Sequence, residues 1–443
     1  MQLTELQVKK AFYSITLLWV GSVSGAGFAF LTHVILARIL GPEEFGIFGA
    51  AYSVAVLMFP LAGFGIAQFW LKEFGKRGWE ATTHVAASLR FVSLTSLGAV
   101  AAIVLWAVVG PHGNLFRLVL LLMGLHAAGQ VSVELVAARL QLEERFFALA
   151  LWQPLHHIIR FVLIAGLAIV VGRGLNVVGV ASVYALVAGL MVITAAVLLS
   201  EMARGHFDLK GHGASWSASS TVKPPGLVTI AAGAWPFGLA GVFYMIYFQG
   251  DIVLVKYFTG DEAAGYYNVA FIVMMGVLLF PAIIYQKYLL PKIHRWAYRD
   301  RALFYSVYRR GTVVMFGIGM IAFAVIWVLA SPGLLLIFGA HYIEAVHLLK
   351  ILALSLPISF MVASIDSTLA TQEHMKTKVQ LMGAVAVINI LLNLWLIPFY
   401  GAVGAAAAKV ASNVIMLFLY YIFAERIVFA KEKKDRKEWG SNL

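Results

Sequence analysis

Long, almost uncharged apolar stretches dominate this sequence and leave few folds open to it. A helix needs about 20 apolar residues to cross a bilayer, and these stretches reach that length repeatedly. The composition agrees, because a chain that is 61% hydrophobic and only 12% charged lies far outside the range of soluble domains. The sequence therefore predicts an all-α polytopic membrane protein.

The apolar stretches divide into two sets of six, numbered here as spans 1 to 12. Spans 1 to 6 are predicted at 11–37, 45–70, 85–109, 115–138, 147–171 and 177–200, and spans 7 to 12 at 227–258, 264–290, 311–330, 346–370, 379–398 and 402–423. Between the sets lies the longest polar stretch, 201–226, whose Gly, Ser and Pro content predicts a flexible cytoplasmic linker. We therefore predict an N-terminal lobe over 1–200, a C-terminal lobe over 227–423 and a basic cytoplasmic tail over 424–443.

One motif occurs once in each set of six spans. Gly41 and Pro42 form a turn between spans 1 and 2, and Gly260 stands 219 positions after Gly41, between spans 7 and 8. Pro60 and Pro281 interrupt the helix that follows each turn, where proline frees a carbonyl and permits bending. The repeat predicts that one half of the protein is a copy of the other.

Two segments need separate treatment. Lys9 and Lys10 precede about 27 mostly apolar residues, which is too long for the core of a signal peptide, and no A-x-A cleavage site follows. We therefore expect this stretch to be retained as span 1. The segment 331–345, which surrounds the residues after Pro332, stays open between a re-entrant piece and a short interfacial piece.

The distribution of Lys and Arg predicts the orientation. With the N-terminus inside, about 25 of the 33 basic residues fall in inside loops and tails. The positive charge thus faces the anionic cytoplasmic leaflet, which accounts for most of the net charge of +12 without any nucleic acid. We predict a multi-pass protein of the cytoplasmic (inner) membrane of a prokaryote, with both termini cytoplasmic. The outside loops hold only Arg38, Arg117, Arg173 and Lys256.

Sequence motifs of enzymes and metal sites are missing. There is no G-x-x-x-x-G-K-[ST] phosphate loop, no H-E-x-x-H, no D-x-D and no G-x-S-x-G. The chain has no cysteine, which excludes a disulfide framework and a thiolate metal site. We predict a protein that is not an enzyme, with no cofactor and no metal. A membrane-embedded glycosyltransferase or acyltransferase is a distant alternative, since it would need a catalytic surface loop.

Four cations fall inside the predicted spans, where each costs about 2.5–3.5 kcal/mol unless it meets water or a partner. They are Arg90, Arg160, Lys350 and Lys409. We expect such residues to face an interior and to bind a charged substrate. Arg160 is the strongest candidate because it lies near the middle of span 5.

A polar patch is predicted around Arg160. Trp152, His156 and Arg160 are spaced i, i+4, i+8 and therefore share one face of span 5. His126 on span 4 is expected at the same depth. The pattern predicts a substrate-binding patch of Arg160, His156 and His126 in the first half, with an interhelical hydrogen-bond cluster as the structural alternative.

The other three cations within spans have simpler alternatives. Arg90 either contacts substrate or pairs with Glu134, which lies at similar depth on span 4. Lys350 and Lys409 either line the substrate path or reach the headgroups from the outer ends of their spans.

Charges near the span ends complete the set of candidates. Arg38 and Lys256 place one cation at the outer end of the first span in each set, and both join the candidate substrate-binding residues. Glu134 and Asp366 are candidates for coupling transport to a proton or sodium gradient. Asp366 lies near the inner end of span 10, where simple solvation is the alternative.

Two adjacent segments resemble the signature of a known family. They are A-R-I-L-G-P-E-E-F-G-I-F-G-A-A-Y-S-V at 37–54 and G-F-G-I-A-Q-F-W-L-K-E at 63–73. The resemblance is to the Wzx (RfbX)-like O-antigen and oligosaccharide flippases of polysaccharide biosynthesis. These flippases belong to the multidrug/oligosaccharidyl-lipid/polysaccharide exporter superfamily. The second copy at 260–267 is similar to the junction of their seventh and eighth helices.

The resemblance implies two pseudo-symmetric six-helix lobes around a central cavity that opens alternately to either side. It implies translocation of a polyprenyl-diphosphate-linked oligosaccharide, such as a polysaccharide or O-antigen (lipopolysaccharide) repeat unit, past cavity cations. A diphosphate crossing hydrocarbon needs a positive, wet path, and arginine suits phosphate contact. The expected partners are the lipid-linked oligosaccharide, membrane lipids and polysaccharide polymerase or glycosyltransferase machinery, with a monomer as the functional unit.

A multidrug or cation antiporter of the same superfamily is the alternative function. Its cationic substrate would prefer an acidic, aromatic cavity, whereas cations outnumber carboxylates within these spans. Lipid II flippases are expected to have two extra C-terminal helices beyond the twelve spans predicted here. We therefore expect this chain to lie outside the lipid II flippase branch of the superfamily.

Overall fold

Helices form the regular secondary structure of this chain. The computed structural model describes residues 5–212, 224–289, 292–293, 296–297, 300–369 and 375–430, and no strand occurs in these ranges. The predicted all-α class is therefore confirmed. The predicted linker and the predicted basic tail extend outside the described residues, at 213–223 and 431–443.

The first of two compact units, residues 1–253, contains spans 1 to 6 and most of span 7. Short 3-10 turns at Gly78–Ala81 and Gly172–Gly174 separate some of its helices. Its helices are Glu5–Gly63, Ile66–Arg77, Thr82–Val109, Asn114–Leu142, Phe146–Val171, Val177–Ala203 and the greater part of Leu227–Thr259.

The second compact unit, residues 254–443, contains the end of span 7 and spans 8 to 12. Two of its helices end in π-helical turns, Ile283–Leu289 and Ala424–Val428. Its α-helices after Leu227–Thr259 are Asp261–Ala282, Arg301–Phe338, Ile343–Ala353, Leu356–Leu369 and Met375–Phe423.

The number of spans follows from where these helices break. Among the described residues, nine helical segments are long and apolar enough to cross a membrane, counting one bent pair as a single span. Thr16–Val109 covers predicted spans 1 to 3, and Lys376–Val428 covers spans 11 and 12. The chain leaves helical geometry inside these segments at Gly41, at the turn Gly78–Ala81 and at Gly401. Divided at these breaks, the segments agree with twelve spans.

The matched glycines of the repeat adopt matched backbone geometry. Gly41 has φ 70° and ψ 176°, and Gly260 has φ 96° and ψ 176°. A side chain is strained at such positive φ values, whereas glycine is not. No heavy atom lies within 4 Å of the position that a Cβ would take at either residue, so backbone conformation rather than space favours glycine.

Helical geometry changes shortly after each of the matched prolines. The helix that contains Pro60 ends at Gly63, and the residues after it, Phe64 and Gly65, have φ values of 45° and 72°. The helix that contains Pro281 changes to π-helical hydrogen bonding from Ile283. Proline removes a donor and crowds the turn that precedes it, so its ring does not by itself account for departures that follow it.

The structure corrects the prediction for the region after span 9. The residues after Pro332 form neither a re-entrant nor an interfacial piece, because Arg301–Phe338 is one helix that continues through this proline. Apolar spans tolerate proline where neighbouring groups satisfy the freed carbonyl. Predicted span 10 is broken instead: Ile343–Ala353 and Leu356–Leu369 meet at 49°, with Pro357 in the first turn of the second helix.

A buried ion-pair network joins the end of span 4 to the end of span 6 in the first unit. Arg139 on span 4 is 6% exposed, and its Nε donates to Glu143 Oε1 at 2.9 Å. Its other nitrogens donate to the backbone carbonyl of Leu198, to Glu201 Oε2 at 3.2 Å and to the His206 carbonyl at 3.3 Å. One guanidinium thus joins span 4 to span 6 and to the first residues of the predicted linker.

The same stretch of the predicted linker packs on the unit through an aromatic side chain. The ring centroid of Phe207 lies 5.5 Å from that of Phe74 and 5.2 Å from that of Trp79. The backbone N–H of Lys210 donates to the Leu142 carbonyl at 3.2 Å. The residues that follow span 6 are therefore held against the unit, rather than extended, up to at least Lys210.

Spans 4 and 6 make a close backbone approach at Gly129. A Cβ on Gly129 would lie 2.8 Å from the Ala188 Cα, which is shorter than real contacts allow. Small residues let membrane helices pack this closely, and van der Waals contact between such helices stabilises them in lipid.

We expect Gly129→Ala to destabilise the purified protein by about 1–3 kcal/mol, because the added methyl group forces spans 4 and 6 apart. Gly166→Ala is the matched control on span 5, where the space around the new methyl group is open. That control is expected to be neutral or to stabilise by up to about 1 kcal/mol through helix propensity. The measurement is the unfolding midpoint in detergent; equal midpoints for the two variants would contradict the packing assignment.

Candidate functional site

Arg160 lies in the interior of the first unit. It belongs to the helix Phe146–Val171 and is only 3% exposed. Trp152 and His156, which precede it by two turns and one turn, are buried as well. The three residues therefore share one inward face of span 5, and the Trp152 indole N–H donates to the Val133 carbonyl of span 4 at 3.0 Å.

The side chain of Arg160 contacts residues from two other spans. Its Nη2 lies 3.3 Å from His126 Nδ1 on span 4. Its guanidinium carbon lies 4.6 Å from the ring centroid of Tyr184 on span 6, which is cation–π geometry. His126 itself is fully buried. The structure thus brings Arg160 and His126 together inside the bundle.

Aromatic rings surround these two residues. Tyr52 on span 2 lies 5.2 Å from His126 and 6.0 Å from Tyr184, measured between ring centroids. His33 on span 1 lies 5.8 Å from Tyr52. We call the set Arg160, His126, Tyr52, Tyr184 and His33 the Arg160 cluster. Five spans of the first unit, namely spans 1, 2, 4, 5 and 6, contribute to it.

No carboxylate compensates the charge of this cluster within the described part of the chain. The contacts of Arg160 there are with His126 and Tyr184, and it takes part in no ion pair. Imidazole and phenol groups can bond a guanidinium, but as neutral groups they leave its charge in place. The interior of the unit is therefore electropositive around Arg160.

A groove runs along the seam between spans 1 and 5 beside the cluster. Its volume is about 310 Å³, and its walls are Gly21, Ser22, Gly25, Ala26, Gln153 and His157. The His157 ring centroid lies 3.9 Å from that of His156, which is buried one turn before Arg160. His157 thus lines the groove, and its ring contacts the buried His156 in a tilted arrangement.

The predicted alternative for Arg90, an ion pair with Glu134, does not form. Arg90 is exposed, eight residues after the start of the helix Thr82–Val109. Glu134 instead accepts a hydrogen bond from Gln68 Nε2 at 3.1 Å. The side-chain amide of Gln68 on span 2 is therefore the partner of Glu134, in place of the guanidinium of Arg90.

The remaining candidate cations have varied surroundings. Lys350 Nζ lies 5.4 Å from the ring centroid of Trp327, a half-exposed residue of span 9. Lys409 is buried at 6% exposure on the last span, and Arg38 is exposed at the end of span 1. Lys256 forms an ion pair with Asp261, so its charge is compensated locally.

Asp366 also has a local partner. Its carboxylate accepts from Lys378 Nζ at 2.8 Å, and both side chains are mostly covered. The alternative of a simply solvated carboxylate is therefore wrong, and the group is an ion-pair member near the C-terminal end of span 10. No group of three or more His, Cys, Asp or Glu side chains suited to a metal occurs among the residues that the structure describes.

The sequence profile of the family described as "Polysaccharide biosynthesis protein" matches residues 12–296. That range covers more than half of the chain, including the first unit from residue 12 onward. The chain belongs to this family.

Two relatives of this chain have names that state a function. The succinoglycan biosynthesis transport protein ExoT of Rhizobium meliloti is 28% identical over 345 residues, which is 74% of this chain but only 63% of ExoT. The chain therefore matches less than two thirds of that relative. The probable low-salt glycan biosynthesis flippase Agl15 of Haloferax volcanii is 23% identical over 430 residues, 95% of this chain and 85% of the relative.

Solved structures share the fold of this family member. The lipid II flippase MurJ, in an inward closed conformation, aligns with a TM-score of 0.72 at 15% identity and covers 93% of this chain and 87% of its own. An inward-facing multidrug resistance MATE family transporter of the MOP superfamily aligns with a TM-score of 0.68, also at 15% identity, over 94% and 99%. These likenesses concern the fold, and they support the predicted all-α polytopic architecture.

Several residues in or beside the Arg160 cluster were not predicted from the sequence. Tyr52, Tyr184, His33 and His157 were not predicted, although all of them lie on predicted spans. Tyr52 falls inside the signature segment 37–54, which is one signal that was available. The others depend on how the spans are rotated against each other, and helix periodicity alone leaves that rotation open.

Proposed function

We propose that this chain is a flippase that translocates a polyprenyl-diphosphate-linked oligosaccharide across the cytoplasmic membrane by alternating access. The single observation that carries the proposal is Arg160, a guanidinium buried in a spanning helix with no carboxylate beside it in the described residues. A diphosphate headgroup is the kind of substrate that such a positive interior attracts. The family membership and the names of ExoT and Agl15 support the same substrate class.

The proposed role of Arg160 is electrostatic. A charge in a medium of low dielectric constant acts over a longer distance than in water, so a buried guanidinium lowers the free energy of a phosphate that comes near it. Its planar fork also suits bidentate contact with phosphate oxygens. His126 and His156 would add hydrogen bonds when the first unit rearranges around the headgroup.

The other candidate cations differ in how directly we expect them to contact the substrate. Arg90 and Arg38 are exposed and can meet the substrate directly, and Lys350 and Lys409 are proposed as substrate contacts within the second unit. Lys256 contributes least, because Asp261 compensates its charge. Glu134 and Asp366 stay proposed as coupling carboxylates, whose current partners are Gln68 and Lys378.

Multidrug or cation antiport is the second candidate function. The fold likeness to the MATE family transporter favours it, but that likeness concerns architecture alone. A cationic substrate would be repelled by Arg160, since like charges in a dry interior destabilise each other strongly. We therefore rank it second.

The proposal includes the cellular setting. We place the chain in the inner membrane of a prokaryote, with both termini cytoplasmic, and treat it as a functional monomer without enzymatic activity. The basic residues of the inside loops would face anionic lipids there. Polysaccharide polymerase or glycosyltransferase machinery would make and consume its substrate.

Deletion of the gene in its own host tests the function. We expect lipid-linked oligosaccharide to accumulate in the cytoplasmic leaflet and surface glycan to disappear, with recovery of both from a plasmid copy. The measurement is lectin labelling of intact and of opened cells. Unchanged surface glycan together with new sensitivity to cationic drugs would favour the antiporter instead.

A further inference from the structure

Polar side chains line the groove between spans 1 and 5, although both spans cross the membrane. The Gln153 amide and the His157 imidazole lie about two and three turns after the start of the helix Phe146–Val171. Ser22 lines the same groove from span 1. Polar groups at this depth are costly against lipid, so a groove that carries them indicates a site for a polar occupant.

The polar atoms of the groove can bond to a ligand. No hydrogen bond of the Gln153 side chain or of the His157 ring occurs among the residues that the structure describes. The Ser22 hydroxyl donates to the Leu18 carbonyl at 2.9 Å, which leaves its oxygen able to accept. An amide, an imidazole and a hydroxyl oxygen together offer both donors and acceptors to one ligand.

Small residues form the wall of the groove on span 1. They are Gly21, Gly25 and Ala26. A Cβ on Gly21 would lie 2.4 Å from the Ala150 carbonyl oxygen, and a Cβ on Gly25 would lie 3.4 Å from His157 Cδ2. Larger side chains on this wall would therefore displace span 5 or fill the groove.

Charge and size narrow the class of occupant. Within the described part of the chain, none of the side chains that line the groove is a carboxylate, a lysine or an arginine, so its wall does not select a diphosphate. Its volume of about 310 Å³ lies at the lower end of the range for small-molecule sites. A single uncharged sugar residue fits both features, because its hydroxyl groups donate and accept. An acyl chain would leave the amide and the imidazole without partners.

We propose that this groove binds one sugar residue of the lipid-linked oligosaccharide, and that Gln153 and His157 contact its hydroxyl groups. The inference rests on the proposed function and divides the substrate between two places. Arg160 attracts the diphosphate, whereas the groove selects the glycan. Gln153 and His157 are therefore specificity-determining residues, which discriminate between glycans without changing the affinity for the phosphate groups.

The test uses the purified full-length protein in detergent and the oligosaccharide that mild acid releases from the lipid-linked pool of the host. This probe has neither lipid nor diphosphate, so its binding does not need Arg160. Saturation-transfer NMR follows binding as the oligosaccharide is titrated. We expect saturable binding to the unaltered protein and about 3- to 10-fold weaker binding to Gln153→Ala and to His157→Ala, because each variant loses hydrogen bonds between neutral groups.

Two substitutions on span 1 provide a matched pair that leaves the polar residues in place. Ala26→Leu puts apolar bulk into the groove and should abolish binding of the oligosaccharide. Gly27→Leu introduces the same side chain at the next position, where the surrounding space is open, and should leave binding unchanged. This pair also tests the site in the case in which His157→Ala does not fold.

Three results would overturn the assignment to a sugar. They are no binding of the released oligosaccharide to the unaltered protein, equal binding by all variants, and a co-purifying phospholipid that is lost in Ala26→Leu but kept in Gly27→Leu. The proposed function fails separately. Sugar binding without translocation in vesicles would overturn the flippase and keep the sugar site, and translocation without sugar binding would do the reverse.

Discussion

Arg160→Gln is expected to reduce translocation of the lipid-linked oligosaccharide by about 10- to 100-fold, because it removes a charge-assisted contact of about 1.5–3 kcal/mol. Glutamine retains hydrogen-bonding groups and similar bulk, so the variant isolates the charge. Arg160→Lys should fall between the two, since lysine keeps the charge but lacks the planar fork. The measurement is the restoration of surface glycan in a host deleted for the gene.

The control for this prediction is Arg145→Gln. Arg145 precedes the same helix, its side chain is 62% exposed, and its 3.5 Å contact with Glu143 is long, so we expect near-normal transport. Arg160→Gln should also unfold no earlier than the unaltered protein, because it relieves the cost of a buried charge. Full transport by Arg160→Gln at normal expression would remove Arg160 from the mechanism.

Arg139→Ala is expected to destabilise the protein by about 3–5 kcal/mol, the usual effect of removing one partner of a buried ion pair. Glu143 is 4% exposed and would lose its closest buried cationic contact, and the carbonyls of Leu198 and His206 would each lose a donor. The first residues after span 6 should then detach from the unit. The unfolding midpoint in detergent measures the first effect, and protease cleavage within 204–212 measures the second.

Arg77→Ala provides the comparison for an ion pair whose arginine is half-exposed. Arg77 is 47% exposed and pairs at 2.9 Å with Glu73, whose side chain is 12% exposed, so we expect a smaller cost of about 1–2 kcal/mol. Its variant should also show unchanged cleavage in 204–212. Equal destabilisation by the two substitutions would show that the Arg139 network contributes no more than this half-exposed pair.

Most of the fold was predictable from three features of the sequence: the length of the apolar stretches, the Gly and Pro residues between and within them, and the internal repeat. The paired glycines lie 219 positions apart and the paired prolines 221, and the backbone departs from α-helical geometry at both glycines and shortly after both prolines. The continuation of span 9 through Pro332 was not predictable, because proline rules from soluble helices overstate its effect in lipid. The break within span 10 lacked a local signal other than Pro357.

For the candidate site, the sequence predicted which residues share a face of one helix, but it did not predict the contacts between helices. The spacing of Trp152, His156 and Arg160 gave one face of span 5 because helix periodicity is local. The partner of a buried group depends on helix rotation and register, which is why Glu134 meets Gln68 rather than Arg90. Tyr184, whose ring covers the Arg160 guanidinium, was missed for the same reason.

Reconstitution gives the most direct test of the central claim that this chain moves a diphosphate-linked glycan past a buried arginine. The purified protein would be placed in vesicles containing a fluorescent polyprenyl-diphosphate oligosaccharide, and a membrane-impermeant quencher would report the fraction on the outer leaflet over time. We predict rapid exchange between leaflets with the unaltered protein and with Arg145→Gln, and exchange about 10- to 100-fold slower with Arg160→Gln. Exchange at the protein-free rate with all three proteins, or equal rapid exchange with all three, would contradict the account.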